Sequence, residues 1–214
     1  MNKTMKPAGL CLAVFLAAVG LRPQTVDCVV AVVGGQPVTL TDLRIAQEFG
    51  LFGRAVPDAA GDTTLGVLDS LIGQKLVLAM AREPASEAKA ESDEALSALR
   101  EKLGPEAFAN KLRKFGLSEA DLRPYLMERR RYERIVQARF ASPIPISRAD
   151  VEKFYREVYI REERAKGLEP GPLEGVRANL EARLRAELRA AKVADWVRTI
   201  REESDVRVNR DCLK

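Results

Sequence analysis

Apolar positions recur along this chain at helical spacing. Leu68, Leu71, Ile72, Leu76, Ala79 and Met80 fall three and four residues apart, which makes one wide apolar helix face. They predict a central core helix over about 65–82, stopped by Pro84. Upstream, Val29–Val33 is a β-branched run, followed by Gly34-Gly35 and Gln36-Pro37-Val38. A Gly-Gly pair between short apolar runs predicts a tight hairpin. Thr41 is expected to cap a helix over about 42–52, and 53–64 reads as a loop. Downstream, a third helix is expected from Ser92, with Leu96, Leu99 and Leu103 on one side. Gly104-Pro105 closes it and opens a fourth, carrying Phe108, Leu112 and Phe115. Ser118 with Asp121 predicts the start of a fifth helix running to about Phe140, and Leu122, Leu126, Tyr132 and Val136 line its apolar stripe. Pro143-Ile144-Pro145-Ile146 should be extended. Ser147 with Asp150 opens a sixth helix carrying Val151, Phe154, Tyr155 and Val158.

The clearest linker is 166–175, KGLEPGPLEG. A long helix over about 173–203 follows, with Val176, Leu180, Leu184 and Leu188 at four-residue steps and Trp196, Val197 and Ile200 beyond. At 1.5 Å per residue it spans roughly 45 Å, more than a compact domain of this size, so part of it is expected to form an arm. Asp205-Val206-Arg207-Val208 alternates like a closing strand. The fold class is therefore mainly α, a multi-helix lobe with short strands near both ends and a long C-terminal helix.

The first residues read as a targeting segment. Lys3 and Lys6 precede a short apolar run, Ala8–Leu21, and Ala18 and Gly20 supply small residues for cleavage. Residues 1–20 are expected to be a signal peptide, the alternative being an uncleaved anchor. No other segment reads as long and apolar enough to span a membrane. The net charge of +4 would fall to +2 without Lys3 and Lys6, a weak pull on nucleic acid. Of the three cysteines, Cys11 lies in the leader. Cys28 and Cys212 remain, and two cysteines in an exported chain favour one disulfide. Asp27 before Cys28 suits a lipoprotein anchor poorly.

The 214 residues include no histidine. That excludes Ser–His–Asp and Cys–His nucleophiles and histidine-containing metal sites, and it removes the side chain best placed for proton transfer near neutrality. Gly34-Gly35 lacks the remainder of a phosphate loop. Glu162-Glu163 and Glu202-Glu203 are neighbours on helices and point apart. The run Glu128–Arg134 interleaves glutamates with arginines and reads as a solvated helix face rather than a nucleic-acid patch.

Several segments, taken in order, resemble the SurA-type periplasmic chaperones and their isomerase relatives. They are VVAVVGGQPVTLTDL, then LDSLIGQKLVLAMA, then the stretch from ESDEALSALREKLGPEAFANKLRKFGLSEADL to YERIVQARF, then ISRADVEKFYREV. Together they run from Val29 to about Val158. In that family a parvulin isomerase domain commonly follows the last of these segments, and its site uses histidines. Here the linker 166–175 stands in that place. The resemblance thus implies a helical chaperone region over 21–165, and a helix and strand over 176–214 returning to the same lobe. It implies an N-/C-terminal β pairing with Val33 near Asp205, and a Cys28–Cys212 bridge, against the alternative of two free thiols.

The function so implied is an exported, ATP-independent holdase, not an enzyme, and located in the periplasm or another extracytoplasmic space. It would bind unfolded or nascent exported polypeptides, outer-membrane proteins among them. It implies no cofactor, no nucleic acid and no membrane insertion after cleavage. The clients would meet a concave cradle between the helical lobe and the long helix. Phe49, Leu51, Phe52 and Val56, at a helix end before a Gly/Asp loop, are candidate client contacts, with core packing the alternative. Met80 and Met127 add adaptable surface. The rival functions are an adaptor docking one specific envelope protein and a peptidyl-prolyl isomerase.

Overall fold

The structure, a computed structural model, describes residues 27–52, 63–81 and 89–213. The leader (1–20), Cys11 and Val56 lie outside the described residues. The fold is mainly α with one small sheet.

Strands β1 (Val29–Val33) and β2 (Gln36–Thr39) form the hairpin. Gly34 and Gly35 both take positive φ, 54° and 82°, which a two-residue hairpin turn requires and glycine permits. Strand β3 (Val206–Val208) pairs with the other edge of β1, so the order is β2-β1-β3 and every pairing is antiparallel. Val33 faces Val206, and Gly34 N donates to Asp205 O at 3.1 Å. The first and last described segments meet here, and Cys28 is bonded to Cys212 across 184 positions of sequence.

Helix α1 is Leu40–Glu48, two residues earlier at its start than the sequence predicts. Thr39, not Thr41, is the cap. Asp42 N donates to Thr39 Oγ1 at 3.1 Å, and Thr39 N donates to Asp42 Oδ2 at 2.8 Å. The Thr-x-x-Asp spacing satisfies two orphan donors at once, which a cap at Thr41 would not. The helix also stops early, at Gly50 with φ 59°. Helix α2 is Thr63–Met80, α3 Lys89–Leu103, α4 Pro105–Phe115 and α5 Glu119–Arg139. Ser92 lies inside α3 rather than capping it. It is buried and accepts from Arg123 Nη1 at 2.8 Å. Ser118 and Ser147 cap α5 and α6 (Arg148–Phe154) by capping boxes with Asp121 and Asp150. After α6 a π turn, Tyr155–Tyr159, leads into α7 (Ile160–Ala165). Helix α8 is Leu173–Glu202.

Three cores hold these elements. The sheet, α2 and the C-terminal end of α8 enclose the first, with Val30, Leu68, Ile72, Val77 and Ile200 buried in it. The second lies among α1, α3, α4 and α5 around Phe49, Phe108 and Leu122. The third joins Val151 and Phe154 to Leu180, so α6 and α7 form a helical hairpin with the N-terminal half of α8. Arg183 clamps it by pairing with Glu162, with Nη2 2.7 Å from Oε1.

Helix α2 corrects one expectation. By length and hydropathy it could cross a membrane. Eight of its residues, from Val67 to Val77, are buried, because it is the core helix between the sheet, α1, α5 and α8.

Candidate binding cleft

Helices α2 and α5 pack side by side, and the C-terminal end of α8 lies on α2. Contact there depends on Gly73: a Cβ at that position would sit 2.9 Å from Val197 Cγ1. Arg201 Nη1 to Asp69 Oδ1, at 2.9 Å, closes the same corner. Phe140 packs edge-on against Trp196 at 5.7 Å, and the Arg139 guanidinium lies 4.6 Å from the Trp196 ring centre. These contacts fix α8 to the body at one end, and Leu180 commits it to the α6–α7 hairpin at the other. Between the two attachments the helices leave a cleft of about 910 Å³.

One wall of the cleft is α8. Ala182, Ala186, Ala190 and Ala194 line it, repeating every four residues and so forming a ridge along one side of the helix. With no side chain beyond Cβ, the ridge leaves open volume. Val193 and Val197 extend it. The opposite wall carries Phe52, Tyr132 and Val136. Tyr132 is half-buried, and its hydroxyl is held above the ordinary tyrosine range mainly by burial. The Arg129 guanidinium lies 5.1 Å from the Phe52 ring centre and 5.3 Å from that of Tyr132, which holds both rings in place.

The cleft is basic. Among the described residues Arg129, Arg185, Arg189, Arg198 and Arg201 line it against a single carboxylate, Asp69. Three of the five are engaged: Arg129 with Glu133 at 2.8 Å, Arg198 with Asp195 at 2.9 Å, and Arg201 with Asp69. Among the described residues the guanidiniums of Arg185 and Arg189 have no hydrogen-bond or ion-pair partner, and Arg189 Nε is buried without one. Both side chains are half-buried.

Of the client residues expected from sequence, Phe52 lines the cleft. Phe49 does not reach any surface. It is fully buried, edge-on to Phe108 at 6.1 Å, because it stands one helical turn beyond Ile45 and continues the buried face of α1. Leu51 packs between the first two cores. Met80 is exposed at the end of α2 and Met127 is half-buried on α5; neither lines the cleft. The Glu128–Arg134 run is laced to neighbouring charges of both signs. Lys75 pairs with Glu128 at 2.8 Å and Arg134 with Glu91 at 2.6 Å.

The alanine ridge, Gly73 and the Arg185/Arg189 pair escaped the sequence reading. The four-residue alanine period was the available signal. The leucine ladder of the same helix, which packs the hairpin, masks it. No family profile and no curated protein sequence matches this chain.

Proposed function

We propose that the protein is an exported, ATP-independent holdase that binds unfolded or extended polypeptides without chemistry on them. The cleft between the body and α8 carries this reading. It follows the helix from Ala182 to Arg201, roughly 29 Å at 1.5 Å per residue. That length accommodates about nine residues of extended chain at 3.3 Å each. Its walls offer small apolar contacts with aromatic rings at one edge, which suits many sequences rather than one. The resemblance of the segments between Val29 and about Val158 to the SurA-type chaperones supports the same reading. So do the Cys28–Cys212 bridge, which suits an oxidising compartment, and the absence of histidine.

The test is aggregation suppression. Oxidised protein without its first 20 residues, and without nucleotide, is mixed with several unrelated unfolding proteins. Suppression across clients near equimolar ratio is the expected result. No suppression of any client would overturn the reading in favour of a dedicated adaptor, to be sought as a stoichiometric complex from the cell envelope.

A further inference from the structure

We infer that the cleft prefers extended polypeptide segments in which carboxylates alternate with apolar side chains, and that Arg185 and Arg189 receive those carboxylates. The inference rests on the holdase reading and names its substrate class.

Arg185 and Arg189 stand four residues apart on α8, on one helix face, which puts them about 6 Å apart along the helix axis. In an extended chain, side chains on one face repeat every two residues, about 6.7 Å apart. Two carboxylates at positions i and i+2 of a bound strand therefore meet two guanidiniums in step. The side chains between them point the other way, toward Tyr132 and Val136 on the opposite wall. Both arginines lack partners among the described residues, and Arg189 Nε is buried as well. A half-buried, uncompensated guanidinium gains more from an incoming carboxylate than an exposed one does. Among the described residues that line the cleft their charge is not cancelled, since Asp69 is already paired to Arg201. A lipid carboxylate would use one of the two cations and leave the other unmatched, so a polypeptide is the better fit.

The test uses three fluorescent nine-residue peptides that alternate leucine with glutamate, glutamine or lysine, titrated by anisotropy into the oxidised protein without its first 20 residues. The glutamate peptide should bind about tenfold more tightly than the glutamine one, the scale of a single charge-assisted contact, and the lysine peptide more weakly than either. Raising salt should shrink the first difference, and the double variant Arg185→Gln/Arg189→Gln should abolish it while still binding the glutamine peptide. Equal binding of all three peptides, or a preference that survives the double variant, would overturn the inference. So would displacement of the glutamate peptide by an equimolar long-chain alkyl carboxylate, which would assign the cleft to lipid. If charge preference is absent while aggregation is still suppressed, this inference alone fails. If no peptide binds and no client is protected, the holdase reading fails with it.

Discussion

Asp42 shows how much one side chain can organise. One carboxylate oxygen closes the capping box with Thr39. The other accepts from the Tyr125 hydroxyl at 2.7 Å, tying the start of α1 to α5. Burial, and then the Asp42 carboxylate, hold that hydroxyl far above the usual tyrosine range. Thr39→Ala removes the side-chain half of the cap, together with a hydroxyl contact to Asp27, and should lower the unfolding free energy by about 1 kcal/mol. Urea denaturation reads this directly, and an unchanged midpoint would mean that Thr39 does not cap α1. Ser118–Asp121 and Ser147–Asp150 were legible in the sequence because both partners lie within one turn. Thr39 was legible too: it has Asp42 three residues on, whereas Thr41 has Arg44, which cannot complete a capping box.

At the scale of elements, the contact of α2 with α8 sets the shape of the cleft. Alanine normally favours a helix over glycine by about 1 kcal/mol. At Gly73 the added Cβ would press on Val197 at 2.9 Å. Val197 is β-branched and stiff in a helix, so the strain of overpacking, about 1–3 kcal/mol, should outweigh the gain. Gly73→Ala is therefore expected to destabilise the protein, and Gly73→Ala/Val197→Ala to recover much of the loss. A double-mutant cycle by thermal unfolding measures the coupling. Additive effects would show that the two helices do not meet there as described. The periodicity of α8 foretold its length and its leucine face. It did not tell which stretch of that helix packs on the hairpin, which on the body, and which faces the cleft.

Two predictions belong to the whole molecule. The Cys28–Cys212 bridge closes nearly the entire folded chain. By loop-closure entropy its loss costs up to about 5 kcal/mol, so reduction, or Cys28→Ser/Cys212→Ser, should move the urea midpoint sharply downward. An oxidised chain with free thiols at Cys28 and Cys212, detected by mass labelling, would contradict the bridge. The second prediction concerns pH. Lys114 and then Lys111 hold the Glu48 carboxyl below its usual range; Arg183 does the same for Glu162, and the Ser118 and Ser147 caps for Asp121 and Asp150. A depressed carboxyl adds stability above its unfolded pKa and loses it as pH falls through the folded value. Stability should therefore decline below about pH 4. Tyr125 has the opposite sign: its raised folded pKa adds stability that is complete below about pH 10 and is lost above it. With no histidine and Cys28 and Cys212 bonded, no side chain of ordinary pKa titrates between about pH 5 and pH 8. Urea midpoints across that interval should be level, and a slope there would contradict the assignment.

The sequence by itself determined most of the helices, the capping boxes at Ser118 and Ser147, and the hairpin. Those depend on hydrogen bonds and apolar repeats that close within a few residues. It also determined the mainly α class and the chemistry that a chain without histidine cannot perform. Tertiary structure alone decided that Phe49 is core while Phe52 edges a cleft, and that α6 and α7 leave the body to pack on α8. It alone decided that Arg185 and Arg189 face that cleft without partners among the described residues. The cleft and the hairpin depend on how α8 lies against elements distant in the chain, and the burial of Phe49 on how α1 meets α3, α4 and α5. Local periodicity carries no information about such a crossing; it is fixed by where a glycine admits close approach and where alanines leave space.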